Sequence, residues 1–223
     1  MRLTKRRRQI LETVRWLAAR RLYSGTSGNV SCRAPDGFLV TPTGIACDDL
    51  RAADMVEVAL DGRTRGGLLP SSEWRLHRDI YQHRPGVGAI VHTHSTVATA
   101  LSCLRRPIPP FHYMIAKTGG RELRCARYAT YGTEALSKNT LAALTGRRAC
   151  LLANHGMVAL GADLPAARLL AEEVEALCAQ YVVARAIGAP VLLSAREMEA
   201  VAHKFAAYGQ KPTVGPSRRA PRK

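Results

Sequence analysis

The sequence predicts a single α/β domain. Three observations carry that expectation. The chain has 223 residues, 47% of them hydrophobic and 22% charged, enough for one full core and ordinary for a globular protein. Short apolar runs of strand length alternate with longer amphipathic runs of helix length. No internal repeat and no linker interrupts residues 1–210, so these form one expected domain, and residues 211–223 are expected to be a basic tail without order.

The elements follow in order. Residues 4–21 place Ile10, Leu11, Val14, Leu17 and Ala18 at helical spacing among arginines. Ser24-Gly-Thr-Ser-Gly-Asn-Val is then a loop of small residues before a short strand. Its glycines reach backbone geometries closed to other residues and expose amides that can cradle an anion, although a plain turn is the competing reading. Phe38 to Thr41 reads as a strand running into the Pro42-Thr43-Gly44 turn, and residues 54–60 and 63–69 read as a hairpin around Asp61-Gly62. Pro70-Ser71-Ser72-Glu73 opens a helix through Trp74, Leu76, His77, Ile80 and Tyr81, with Ser71 or Ser72 as cap and Glu73 in the first turn.

Val87 to His94 is apolar and β-branched and reads as a buried strand. A helix is expected from about Thr96 to Leu104, a stiff connection over Pro107–Pro110, and a short strand and turn from Cys125 to Tyr131. Thr133 caps the next helix, which Gly146 ends. A strand pair over 149–160 turns at His155-Gly156. Asp163 caps a long helix over 164–187, with Leu170, Val174, Leu177, Cys178 and Tyr181 on one face and Gly188 as its stop. Ser194-Ala-Arg-Glu197 is a capping box for a last helix reaching Ala207.

Charge narrows the partners. The net charge is +16, yet residues 1–8 and 211–223 each carry five basic side chains and no acid, so ten of those charges sit at the ends. The tail is read as a solvated terminus and not as a nucleic-acid site, because no aromatic or recognition motif accompanies it. The rest of the chain is basic enough to draw in an anionic substrate. No apolar run approaches the roughly 20 residues that span a bilayer, and no apolar segment follows the basic N-terminus as a signal peptide requires. The six cysteines contain no Cys-x-x-Cys pair and are expected to be reduced thiols. The expected location is therefore the cytoplasm.

The chemistry centres on Val91-His92-Thr93-His94. Alternate side chains on a strand share a face, so His92 and His94 point the same way and can grip a divalent metal. His155 closes a second apolar run, Ala149 to Asn154, and Glu73 offers a carboxylate. These four are the candidate metal ligands. His77, His83, His112 and His203 are read as surface or hydrogen-bonded residues. Residue patterns alone leave the reaction open at this point: a metal site, anion-binding loops, and no assigned chemistry.

A resemblance goes further. Gly25-Thr-Ser-Gly-Asn-Val-Ser, Val40-Thr-Pro-Thr-Gly, Leu69-Pro-Ser-Ser-Glu-Trp-Arg, Val91-His-Thr-His, Ile108-Pro-Pro-Phe-His-Tyr-Met-Ile-Ala and Asn154-His-Gly resemble the class II aldolase/adducin family, in order, from about residue 5 to Gly209. The resemblance implies an α+β-type domain with a central, mostly antiparallel sheet flanked by helices, and a homotetramer with active sites between subunits. It assigns one Zn2+ per subunit to Glu73, His92, His94 and His155. It puts the phosphate of a phosphorylated sugar substrate on Gly28, Asn29, Thr43, Gly44, Ser71 and Ser72, and catalytic roles on Glu73, Tyr113 and Tyr208. The implied reaction is the reversible cleavage of a ketose 1-phosphate to dihydroxyacetone phosphate and an aldehyde. Epimerase, dehydratase or decarboxylase activity on the same scaffold is the alternative. Epimerases of this pattern carry Asp where this chain has Glu73, which favours the lyase. A non-catalytic, adducin-like interaction module is the remaining alternative, and an intact ligand set speaks against it.

Overall fold

The structure is a computed structural model, and it describes residues 2–207. Helix α1 (Arg2–Ala19) precedes β1 (Asn29–Ala34), β2 (Gly37–Val40), β3 (Val56–Ala59) and β4 (Thr64–Arg65). Then come α2 (Trp74–His83), β5 (Ala89–Thr93), α3 (Thr96–Ser102), a 3-10 run over Tyr113–Thr118, and β6 (Cys125–Ala126). The chain continues through α4 (Glu134–Ala143), β7 (Ala149–Leu152), β8 (Gly156–Gly161), α5 (Leu164–Ile187) and α6 (Ala195–Ala207).

The eight strands form one sheet in the order β4-β3-β2-β1-β5-β8-β7-β6. Every ladder is antiparallel except β6–β7, as the mostly antiparallel expectation has it. Apolar side chains of alternating parity fill two cores. On one face Val30, Leu39, Val91, Leu151 and Met157 meet α1, α3 and α5 through Ile10, Val14, Ala98, Leu101, Val174 and Leu177. On the other face Phe38, Val40, Ile90, Leu152 and Val158 meet α2 and α4 through Leu76, Ile80, Leu136 and Leu144. The period of two along each strand thus decides which residues face α2, and Asn29, Ser31 and His92 share that parity.

Local signals hold where they are local. Thr133 accepts a hydrogen bond from the Leu136 amide and Asp163 from the Ala166 amide. Ser194 and Glu197 make the reciprocal bonds of a capping box. Other expectations shift. The first helix ends at Ala19 because Arg21 takes a positive φ of 57°. The hairpin at Asp61-Gly62 forms, but its second strand keeps only two residues. His94 lies one residue beyond β5. At the start of α2, Glu73 is itself the cap residue and not a first-turn acid. Neither serine caps the helix; Ser71 Oγ instead accepts from the Glu73 amide at 3.3 Å. Among the described residues all six cysteines are free thiols, and no helix is long and apolar enough to cross a membrane. The basic tail at 211–223 lies outside the described residues.

Candidate metal centre and substrate cleft

Four elements bring the centre together. β5 runs between β1 and β8, and it carries His92 at zero exposure. The Nδ1–H of His92 donates to the Met157 carbonyl of β8 at 2.8 Å, which turns Nε2 away from the sheet ladder and toward Glu73 and His94. His94 follows at the strand end, with its Nε2 3.0 Å from that of His92. Its backbone leads into α3, whose N-terminus is capped from across the fold. Glu175 of α5 accepts from the amides of Val97 and Ala98, each at 2.8 Å, and from the Ser95 hydroxyl at 2.7 Å.

His155 sits in the turn between β7 and β8. Asn154 takes a φ of 53° there, and the His155 amide donates to the Leu152 carbonyl and to Ser102 Oγ. Gly156 must follow, because a Cβ would meet the Thr93 carbonyl at 2.4 Å and His94 Cδ2 at 3.0 Å. Glu73 arrives on the segment before α2. That segment is clamped beside β2 by Thr43 N–H to the Leu69 carbonyl and Ser71 N–H to the Thr41 carbonyl.

The result is a compact donor set. One ligand atom from each of Glu73, His92, His94 and His155 lies within 4.8 Å of all the others. The three imidazoles are 4.8 Å apart, centroid to centroid, and stand edge-on to one another at 71°, 82° and 73°, so their Nε2 atoms converge. Glu73 completes the group, with Oε2 3.0 Å from His92 Nε2 and Oε1 3.3 Å from His155 Nε2.

Electrostatics follow from burial and neighbours. Burial works against charge on Glu73, but His92 and His155 outweigh it and hold the carboxyl well below the usual range. His94 and His155 are both pushed down to about 4, by burial first and then by the neighbouring imidazoles, so each is neutral near pH 7. His92 is also desolvated, yet Glu73 and the Met157 carbonyl raise it overall.

The set fits a divalent cation. Three imidazole nitrogens and a carboxylate are a standard ligand complement. Glu73 Oε1 is buried without a hydrogen-bond partner, while Oε2 is held by Asn29 Nδ2 at 3.0 Å. A buried carboxylate oxygen left bare is costly unless something else satisfies it.

Beside the centre lies a cleft of about 450 Å3. It is lined by Gly28, Asn29, Thr43, Gly44, Ser71 and Ser72 together with Glu73, His94 and His155. All six residues assigned to phosphate thus share one cavity with three of the four candidate ligands, Glu73, His94 and His155. Gly28 has a φ of 97°, and a Cβ on it would lie 2.8 Å from the His92 carbonyl, so the loop packs directly against the metal strand. The Asn29 side chain is less free than the resemblance suggests: it is buried and engaged by both Glu73 and His77. Tyr113 does not line this cleft. It is 47% exposed and stacks on Phe205 of α6. Tyr208 lies outside the described residues.

Residues missed by the sequence reading also line the cleft. Tyr128, Tyr131 and Asn154 do so, and Arg105 lies over the Tyr128 ring and donates to Asn154 Oδ1 at 2.6 Å. The hydrogen-bonded role expected for His77 is deeper than its position on a helix announced. It is fully buried between Asn29 and Ser31. Glu73, His77 and Tyr81 recur every fourth residue, a spacing that could have flagged them.

Comparison with known proteins decides the family. The family model described as the class II aldolase and adducin N-terminal domain matches residues 8–182. The chain belongs to this family. It is 51% identical over 203 residues to a 5-methylthioribulose-1-phosphate/5-deoxyribulose-1-phosphate aldolase of Rhodospirillum rubrum, covering 91% of this chain and 92% of the relative. It is 46% identical over 210 residues to an L-fuculose phosphate aldolase of Escherichia coli, covering 94% and 98%. A solved L-fuculose 1-phosphate aldolase superposes with a TM-score of 0.87 at 41% identity, covering 91% of this chain and 96% of that one. The family assignment makes the chain a metal-dependent aldehyde-lyase of sugar-phosphate metabolism.

Proposed function

We propose that this class II aldolase cleaves a ketose 1-phosphate, L-fuculose 1-phosphate or a related 5-deoxypentulose 1-phosphate, reversibly to dihydroxyacetone phosphate and an aldehyde. The observation that carries the reading is the convergence of Glu73, His92, His94 and His155 at the wall of a cleft whose other wall offers glycine amides and hydroxyls. Zinc is the proposed metal, one per subunit, held by these four residues. When bound, it supplies a Lewis acid that stabilises negative charge on the substrate oxygens.

The protein residues divide the remaining work. The backbone around Gly28 and Gly44, with Thr43, Ser71 and Ser72, holds the phosphate and so orients the reacting carbons. Glu73, expected to leave the metal when substrate arrives, then takes and returns the proton at the carbon centre. Tyr113, in the cleft of a neighbouring subunit, takes the proton of the hydroxyl that becomes the aldehyde during cleavage and donates it to the aldehyde oxygen in the reverse direction. Its exposure, and its absence from the cleft of its own chain, support a role across an interface. Tyr208, from the C-terminal segment, has a further catalytic role in this reading. The assembly is a homotetramer acting in the cytoplasm. Tyr128 and Tyr131 give the open end of the cleft an aromatic wall, which suits a deoxy or methylthio sugar end as well as a methyl one.

The test is metal analysis of the purified protein together with a panel of L-fuculose, 5-deoxyribulose and 5-methylthioribulose 1-phosphates. About one zinc per chain and released dihydroxyacetone phosphate are expected. A metal-free protein that releases no dihydroxyacetone phosphate from any of the three would end the proposal. Product mass separates cleavage from loss of water or CO2, and from epimerisation, which leaves mass unchanged.

A further inference from the structure

A chain of buried polar groups runs away from the centre, between β1 and α2. Asn29 Nδ2 donates to Glu73 Oε2 at 3.0 Å. Asn29 Oδ1 meets His77 Nε2, His77 Nδ1 lies 2.6 Å from Ser31 Oγ, and Ser31 Oγ lies 2.8 Å from the Tyr81 hydroxyl. His77, Ser31 and Tyr81 are all at or near zero exposure, and Asn29 is at 2%. The geometry is a meeting of two periods. Asn29 and Ser31 are two apart on a strand, while Glu73, His77 and Tyr81 are four apart along α2 and its cap.

The direction of every bond in this chain is forced by its end. An ionised carboxylate only accepts, so Asn29 must present its NH2 to Glu73 and its carbonyl oxygen to His77. That oxygen only accepts, so His77 carries its hydrogen on Nε2. His77 is neutral, pushed down to about 3 by burial and by the nearby His92, so Nδ1 is bare and accepts from the Ser31 hydroxyl. Ser31, having donated, accepts from Tyr81. Reversing the Asn29 amide would set its carbonyl oxygen against the Glu73 carboxylate, acceptor against acceptor, and would require His77 to carry its hydrogen on Nδ1 instead.

We propose that His77 is a positioning residue for Glu73, acting through Asn29: its Nε2–H locks the Asn29 carboxamide in the one orientation that donates to Glu73 Oε2. One carboxylate oxygen is thereby anchored, and the other is left bare toward His155 and the cleft. This rests on the reading of Glu73 as the group that moves the proton.

The experiment has three arms on the metal-loaded full-length protein. In the first, His77→Phe should lower kcat about 10- to 100-fold with metal content unchanged and KM within about twofold. His77→Gln, which keeps a donor at the Nε2 position, should restore most of that loss. In the second, adding His77→Phe to Glu73→Gln should cost less than about twofold more, since the group being positioned is gone. In the third, nitrogen-15 spectra of the imidazoles should show His77 as the Nε2–H tautomer. Wild-type kcat in His77→Phe with Glu73→Gln inactive, a KM rise at unchanged kcat, or an Nδ1–H tautomer would each overturn the inference while leaving the role of Glu73 intact. Wild-type turnover in Glu73→Gln would instead remove the reading on which it rests. The tautomer and the His77→Gln variant still decide if His77→Phe does not fold.

Discussion

The histidines at the centre and the histidine behind it differ in one respect. His92, His94 and His155 each keep an Nε2 that converges on a common point, and His92 uses only Nδ1 for the protein. His77 is as buried as His92, yet both of its nitrogens are taken by protein partners on opposite sides. A bare, convergent nitrogen makes a ligand, whereas a doubly engaged ring makes a spacer that transmits orientation. His92 and His77 share residue type and full burial, and only their hydrogen-bond partners separate them.

The sharpest way to break that distinction is to remove one bare nitrogen. His92→Ala should lose the metal and lower turnover by more than about 10^4-fold, measured by elemental analysis and initial rates. A variant that keeps both would show that His92 is not a ligand. Glu73→Gln comes next. It should keep much of the metal and lower turnover by about 10^2- to 10^3-fold, because the amide can still offer an oxygen but cannot move the proton.

Acid stability probes the doubly engaged ring. His77 has an ordinary value of 6.5 and a folded value of about 3. Between those values the unfolded chain binds more protons than the fold. The contribution of His77 is therefore fully present above about pH 6.5 and is lost as pH falls toward 3. The loss per pH unit is at most about 1.4 kcal/mol. Denaturant melts of wild type and His77→Gln at equal metal loading should differ in slope, the variant being flatter; parallel slopes would mean that His77 is charged in both states. The smallest effect is expected at the far end of the chain. Tyr81→Phe leaves Ser31 free to donate to His77. It should cost about 1 kcal/mol of stability and change kcat less than about threefold. A larger loss of turnover would extend the positioning role to the whole chain of groups.

Much of this was legible in the residues. The capping residues Thr133, Asp163 and Ser194 stand where expected, because capping joins positions only two or three apart. The α2 start was misread because its cap geometry depends on the clamp between residues 41–43 and 69–71, a contact across the sheet edge. Glu175 was invisible as the cap of α3 for the same reason, since it comes from α5. Tyr113, which the resemblance places across a subunit interface, does not line the cleft of its own chain and stacks on Phe205.

The sequence by itself determined which side chains can bind a metal, and that His92 and His94 leave their strand on one side. Both follow from chemistry and from a period of two that no distant contact alters. Tertiary structure alone decided that Glu73 and His155 join them. Positions 73 and 155 meet only because β5 inserts between β1 and β8 while α2 crosses the face that Asn29, Ser31 and His92 share. Strand order and register are long-range choices, made by burying Ile90 and Val91 on opposite faces at once. The same choice placed His77 behind Glu73 and turned a helix histidine into part of the site.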